Sequence, residues 1–137
     1  MDLQQLNSMR KAKHNNLYQK YEVVFAFGRE QFALLKAKGV EYVPVSNIGG
    51  MFVPKQHFEP LLLELAAVAE AYEKMVAVHI PFAHYVEWFM TNYGVFDTGE
   101  YADVLANVRA IWPETTLEQL QTVYDDHKAA YAAWATK

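Results

Sequence analysis

The spacing of apolar residues changes near residue 55 of this chain. Before that point, short β-branched and aromatic runs are separated by glycines, a pattern typical of strands and turns. After it, apolar residues recur every three or four positions, which is typical of helices with one buried face. The pattern predicts an α+β fold. A small three-stranded antiparallel or mixed sheet, at about residues 21–53, is expected to pack against a C-terminal part of four helices.

Three short strands are predicted in the first part of the chain. They are residues 21–27, 40–45 and 51–53. Pro44 places the second strand at an edge of the sheet, because proline has no N–H to donate to a neighbouring strand. Residues 46–50 (Ser-Asn-Ile-Gly-Gly) are expected to form the turn that leads into the third strand.

One helix is predicted in this first part, at residues 29–38. Phe32, Leu35 and Leu34 are expected to face inward. Gly39 follows at the position where helices commonly end on a glycine with a left-handed backbone.

The N-terminal residues 1–18 are predicted to be a polar, partly helical lead-in that frays. Its apolar anchors are Leu3, Leu6, Met9 and Leu17. The lead-in lacks the apolar core of a signal peptide, and no apolar run approaches the roughly 18 residues that a membrane span needs. We therefore expect a cytoplasmic protein with no membrane partner.

Four helices are predicted in the second part of the chain. The apolar stripe of the first consists of Phe58, Leu61, Leu65, Val68, Tyr72, Met75 and His79, widened by Leu62, Ala69 and Val76. Pro81 is expected to open the second helix. The pairs Asp97/Glu100 and Thr115/Glu118 fit capping boxes that begin the third and fourth helices.

The third and fourth helices complete this part of the chain. The third is expected to run from residue 97 to residue 112. The stripe of the fourth consists of Leu117, Leu120, Tyr124, His127, Tyr131 and Trp134. The stripes of the first and fourth helices are broader than a single contact between them requires, so we expect at least one margin to stay exposed, for instance near Tyr131 and Trp134. Such a margin would form a homodimer contact or a groove for a partner.

Length and composition indicate a single domain spanning residues 1–137 with a well-packed core. The 137 residues include 20 aromatic side chains (8 Phe, 9 Tyr and 3 Trp). The absence of cysteine excludes disulfides and thiolate metal sites and fits a reducing compartment. No pattern for a cofactor is present, and we expect none.

The net charge of −4 conceals an asymmetry along the chain. Residues 1–38 hold seven Lys and Arg against three acids, whereas residues 39–137 hold five against thirteen. The acidic part would suit docking on a basic protein surface. The basic end suggests an alternative role as a nucleic-acid accessory protein, through Arg10, Lys11, Lys13, Lys20 and Arg29. The acidic part would repel the same polyanion, so nucleic acid is the less favoured partner.

Motifs of known chemistry are few. Residues 97–99 (Asp-Thr-Gly) match the tripeptide of aspartic proteases. That chemistry needs paired β-loops, so we interpret the tripeptide as a helix cap. The five histidines include no i, i+4 pair for a metal. His84, Glu87 and Asn92 are the candidates for a rival interpretation, a small metal-dependent enzyme. No complete catalytic set is present, so a binding role is favoured over an enzymatic one.

Three segments together resemble the motifs of an uncharacterised family of small phage and mobile-element proteins. They are residues 25–32 (FAFGREQF), 49–55 (GGMFVPK) and 89–100 (FMTNYGVFDTGE), and the resemblance extends over about residues 21–125. Tyr93 and Gly94 stand where that family has His and Glu. The resemblance therefore transfers only Asn92, Thr98 and Gly99 as positions of interest, and it implies a viral or mobile-element source without assigning an activity.

Taken together, the sequence favours a small cytoplasmic binding protein of phage or mobile-element origin. It is expected to act by contact with a host or phage protein, for instance by inhibiting a host defence factor, and to form a homodimer as an alternative. The candidate binding residues are Asn92, Tyr93, Thr98, Gly99, Tyr131 and Trp134.

Overall fold

The computed structural model describes residues 1–45 and 49–135. In chain order its elements are α1 (Leu3–Lys20), β1 (Val24–Phe25), α2 (Arg29–Leu35), β2 (Tyr42–Pro44), β3 (Met51–Pro54), α3 (Phe58–His79), α4 (Phe82–Asn92), α5 (Val95–Thr98), α6 (Leu105–Arg109) and α7 (Leu117–Ala135). Turns of 3-10 helix occupy Lys55–His57 and Tyr101–Val104. The predicted α+β class is confirmed.

The chain divides into two units, which are described separately. One consists of residues 7–72 and is called the sheet unit. The other consists of residues 1–6 and 73–137 and is called the helical unit. The single domain expected from the chain length stays a prediction.

The sheet unit contains three antiparallel strands in the order β1-β3-β2. β2 pairs with β3 through Val43 and Val53, and β1 pairs with β3 through Val24 and Phe52. β2 is an edge strand, so the edge position predicted from Pro44 is confirmed. The turn predicted at residues 46–50 is described only at its last two residues, since 46–48 lie outside the described residues.

β1 has only two residues, whereas the sequence predicted a strand over residues 21–27. Beyond it, the Ala26 N–H still donates to the Gly50 carbonyl at 2.8 Å. The next amide, that of Phe27, donates instead to Oε1 of Gln31 at 2.8 Å. The side chain of Gln31 thus takes the place of a neighbouring strand and ends the pairing.

A buried cluster holds the sheet unit together. It consists of Leu17, Val45, Met51, Val53 and Leu61, with Tyr18, Tyr21, Val23, Val43, Phe58, Leu65 and Val68 packed around it. These residues come from α1, the strands and α3. The apolar stripe predicted for α3 is thus buried at Leu61 in the sheet unit and at Val76 in the helical unit, while His79 and Leu62 are exposed.

α2 is shorter and less buried than predicted. It ends at Leu35, three residues before the predicted end, and none of its residues is buried. Phe32 packs on Tyr42 and Phe52 of the sheet, with ring centroids 5.6 and 4.7 Å away. The inward position predicted for Leu34 and Leu35 is wrong, because a two-turn helix that contacts the sheet through Phe32 leaves both leucines exposed.

α1 forms a continuous helix of 18 residues. Asp2 and Gln5 cap it reciprocally, each accepting the backbone N–H of the other at 2.8 Å. Of its four predicted anchors, Leu3, Leu6 and Leu17 are buried, whereas Met9 is exposed. Fraying of the first residues stays a prediction.

The helical unit packs α4 against α7 and the short elements between them. The single helix predicted over residues 97–112 is wrong, because the chain forms α5, a 3-10 turn and α6 instead. Gly94 and Gly99 flank α5 with φ of 67° and 76°, left-handed values that interrupt a helix. Asp97 lies inside α5, so the predicted Asp97/Glu100 box does not form.

The capping box before α7 lies one residue later than predicted. Thr116 and Gln119 form it: the Thr116 N–H donates to Oε1 of Gln119 at 2.8 Å, and the Gln119 N–H donates to Oγ1 of Thr116 at 3.3 Å. Thr115 is buried, and its hydroxyl donates to the Trp112 carbonyl at 2.7 Å. In the part of the chain that is described, no helix is long and apolar enough to cross a bilayer.

Candidate binding surface

Four aromatic side chains form a continuous group on α5 and α7, here called the aromatic surface: Phe96, Tyr124, Tyr131 and Trp134. The Phe96 ring is stacked between those of Tyr124, at 5.6 Å and 8°, and Tyr131, at 5.4 Å and 26°. The Trp134 ring lies 5.9 Å from that of Tyr131. The tyrosines are seven positions apart, about two helical turns, so both reach the same side of α7.

Tyr131 is fixed by a hydrogen bond as well as by stacking. Its hydroxyl donates to the Asp97 carboxylate, with distances of 3.2 and 3.1 Å to the two oxygens. This bond to the carboxylate raises the pKa of the Tyr131 hydroxyl above its usual value, and desolvation adds to the shift. Tyr131 is therefore a neutral, oriented group at neutral pH.

Thr98 and Gly99, the positions of interest from the resemblance, lie beside this group. The Thr98 hydroxyl accepts the N–H of Glu100 at 3.3 Å. A Cβ on Gly99 would lie 3.4 Å from the hydroxyl oxygen of Tyr124, and the φ of Gly99 is +76°. Both residues therefore shape the turn against which the Tyr124 hydroxyl lies.

Asn92 and Tyr93 make their contacts within α4 and its end. The Asn92 amide donates to the Trp88 carbonyl at 2.8 Å. Tyr93 stacks on Phe89 at 4.3 Å and 12°, and 66% of its surface is exposed. Of the six predicted binding residues, four are thus linked to the aromatic surface: Thr98, Gly99, Tyr131 and Trp134. The other two, Asn92 and Tyr93, lie at the end of α4.

Trp134 is the exposed end of the aromatic surface, with 69% of its surface open to solvent. The rest of the group is half-buried. The exposed margin predicted at Tyr131 and Trp134 is therefore correct for Trp134, whereas Tyr131 is mostly committed to contacts within the chain. Phe96 and Asp97, which hold Tyr131, were not among the predicted binding residues.

A second feature of the helical unit is a groove of about 650 Å³. Its apolar lining is formed by Phe82, Ile111, Trp112 and Pro113, with Glu114 among its polar residues. The rings of Phe82 and Trp112 meet edge to face at 5.2 Å and 81°. We refer to it as the Phe82–Trp112 groove.

The sequence profile of one protein family matches residues 6–136, nearly the whole chain. That family is described as a family of unknown function, DUF7659. The chain belongs to this family. No curated protein and no solved structure matches it. The expected membership of an uncharacterised family is thus confirmed for this DUF7659 protein, while the phage or mobile-element origin stays a prediction.

Two residues of the rival enzyme interpretation make other contacts in this DUF7659 chain, and that interpretation stays a prediction. Glu87 faces His127, with 3.4 Å between Oε1 and Nδ1, and the Asn92 amide is bonded to its own helix. His84 is exposed on α4. Within residues 1–45 and 49–135, no three His, Asp or Glu side chains are grouped as metal ligands.

Two of the basic residues proposed for nucleic-acid binding are engaged within the sheet unit. The Arg10 guanidinium lies 4.0 Å from the centre of the Tyr72 ring. The Lys20 ammonium pairs with Glu64 at 3.2 Å. Ammonium and guanidinium groups with such partners are less available to phosphates, so these contacts do not favour that alternative.

Proposed function

We propose that this DUF7659 protein is a binding protein that docks on a basic surface of a partner protein through its aromatic surface. The observation that carries the proposal is the exposed Trp134 ring next to a stacked and hydrogen-bonded Tyr131. Tryptophan and tyrosine are the residues that most often dominate binding energy at protein interfaces.

The energetics support an anchor role for Trp134. A tryptophan presents up to about 250 Å² of surface, so covering the exposed 69% would remove roughly 170 Å² from water. At about 25 cal/mol per Å², this contributes about 4 kcal/mol before the entropic costs of association. Because Tyr131 is already held by Asp97 and Phe96, little additional ordering is needed at that residue.

Charge supports a basic partner. Residues 1–6 and 73–137 hold ten Asp and Glu against four Lys and Arg, a net charge of −6. The rest of the chain, residues 7–72, holds eight Lys and Arg against six acids, a net charge of +2. The acidic unit would steer a basic surface toward the aromatic surface and speed association.

The same charge argues against a homodimer formed through this surface. A two-fold interface places each surface against its own copy, so two units of net charge −6 would face one another. We therefore favour a host or phage protein as the partner. Inhibition of a host factor would follow if the covered surface is one that the host factor needs.

Affinity purification from a lysate of the source cells tests the proposal. Wild type, Trp134→Ser and the control Leu34→Ser would be compared at physiological salt. Leu34 is a suitable control because it is also highly exposed and apolar, but lies in the sheet unit. We expect a basic protein to be retained by wild type and Leu34→Ser and lost with Trp134→Ser. Equal retention by all three, or no retained protein, would refute the proposal.

A further inference from the structure

The walls of the Phe82–Trp112 groove are fixed by contacts among the residues that line it and with a neighbouring ring. The Trp112 ring contacts those of Phe82 and Tyr85, both on α4, with centroid distances of 5.2 and 5.6 Å. The carbonyl of Trp112 accepts two hydrogen bonds from Thr115, from the N–H at 3.1 Å and from the hydroxyl at 2.7 Å. The groove is therefore preformed, which lowers the entropic cost of filling it.

The charges around the groove favour a cationic occupant. Among the described residues that line the groove, Glu114 is the one with an ionisable side chain, and it is exposed. Arg109, nearby in the chain, already donates from Nε to the Thr115 carbonyl at 2.9 Å. The unit as a whole has a net charge of −6, so a basic segment is drawn toward the groove and an acidic one is repelled.

The lining of the groove favours an extended chain that contains proline. Aromatic-lined grooves bind proline-rich segments because the polyproline II helix is preformed and presents flat rings. Proline also loses no side-chain entropy when it is buried. Phe82, Trp112 and Pro113 provide the ring surfaces for such contacts.

We propose that the Phe82–Trp112 groove binds an extended, proline-containing peptide segment with Arg or Lys beside the prolines. The proline rings pack against the rings of Phe82 and Trp112, and the cationic side chain pairs with the Glu114 carboxylate. This goes beyond the function proposed for the aromatic surface and does not rest on it. Gln119 in the groove and Trp134 are 15 residues apart on α7, which separates the two sites by about 22 Å along the helix.

Synthetic peptides of equal length test this inference by NMR. The three probes are hexaproline flanked by arginines, hexaproline flanked by glutamates, and a Gly/Ser peptide flanked by arginines. The readout is the indole N–H signal of Trp112 in the full ¹⁵N-labelled chain, assigned with Trp112→Phe. We expect saturable shifts with the Arg-flanked proline peptide and affinities at least about tenfold weaker for the other two.

Two exposed-site variants make the test specific. Glu114→Gln removes the proposed counter-charge and should weaken binding of the Arg-flanked proline peptide several-fold. Trp134→Ser should leave that binding unchanged, so failure of this inference is distinguishable from failure of the proposed function. The inference is overturned if Trp112 shows no saturable shift at millimolar peptide, if the three peptides bind equally, or if Glu114→Gln binds as wild type does.

Discussion

Replacing Gly50 by alanine is expected to destabilise the sheet unit much more than the same change at Gly39. Both glycines have a left-handed backbone, with φ of +75° and +78°. A Cβ at Gly50 would lie 2.8 Å from the Ala26 carbonyl oxygen and 3.0 Å from two carbons of the Phe27 ring. A Cβ at Gly39 would meet no atom within 4 Å.

The magnitudes follow from these contacts. The left-handed conformation alone costs an alanine roughly 1–2 kcal/mol, and this is the full cost expected at Gly39. At Gly50 the atom that the added Cβ would overlap is a backbone atom, the Ala26 carbonyl oxygen. Ala26 also donates its N–H to the Gly50 carbonyl, a hydrogen bond that extends the pairing of β1 with β3 by one residue. Relieving the overlap therefore disturbs that hydrogen bond, and overpacking adds about 1–3 kcal/mol. We expect about 2–5 kcal/mol in total.

Urea denaturation followed by circular dichroism measures both variants. Gly28→Ala is a further control, because its φ of −164° is extended and no atom lies within 4 Å of the added Cβ. The Gly28→Ala substitution should leave the free energy of unfolding unchanged or raise it slightly. If Gly50→Ala and Gly39→Ala reduce the free energy of unfolding equally, then Ala26 and Phe27 do not lie as close to Gly50 as the structure shows.

Two further predictions concern burial and pH. Leu61→Ala should lower the free energy of unfolding by about 2–5 kcal/mol because Leu61 is fully buried. Leu34→Ala, at a position that is 86% exposed, should change it by less than about 0.5 kcal/mol. Equal effects of the two substitutions in urea denaturation would contradict the assigned core. The hydroxyl of Tyr21 and the ammonium of Lys20 both donate to the Glu64 carboxylate and lower its pKa below the usual 4.5. Its stabilising contribution is therefore full above pH 4.5 and lost as the pH falls through the lowered folded pKa, so wild type should lose more stability than Glu64→Gln over that acidic range. Parallel acid-stability curves for the two proteins would rule this out.

The parts of the fold that local chemistry controls were predictable from the sequence. Pro44 indicated an edge strand because a proline cannot donate a backbone hydrogen bond, whatever its surroundings. β2 is indeed an edge strand. The spacing of apolar residues in α3 indicated a buried face because helical geometry alone sets which residues share a side. Leu61 and Val76 are buried accordingly.

The parts that depend on distant contacts were not predictable. Asp97 has the sequence context of a helix cap, but its carboxylate accepts a hydrogen bond from Tyr131, 34 residues away. No local sequence pattern indicates that hydrogen bond. Likewise, the β-branched and aromatic run of residues 21–27 favours a long strand, and only the position of Gln31 at the start of α2 shows why the strand ends early.

The candidate binding surface shows the same division. The regular stripe of α7 identified Tyr131 and Trp134, and it indicated that a margin of the stripe would stay exposed. It did not reveal that Phe96 stacks between Tyr124 and Tyr131, because that contact requires α5 to pack against α7. A short element with its own flanking glycines gives no periodic signal for such packing.

Photo-crosslinking from position 134 is the most direct test of the proposed docking surface. A photoreactive tryptophan analogue, which keeps the indole ring that serves as the anchor, would replace Trp134 in one protein and Leu34 in a control, and both would be irradiated in cells of the source organism. The account predicts a discrete adduct with a basic protein from position 134 that is absent from position 34. No adduct at position 134, or the same adducts from both positions, would contradict it.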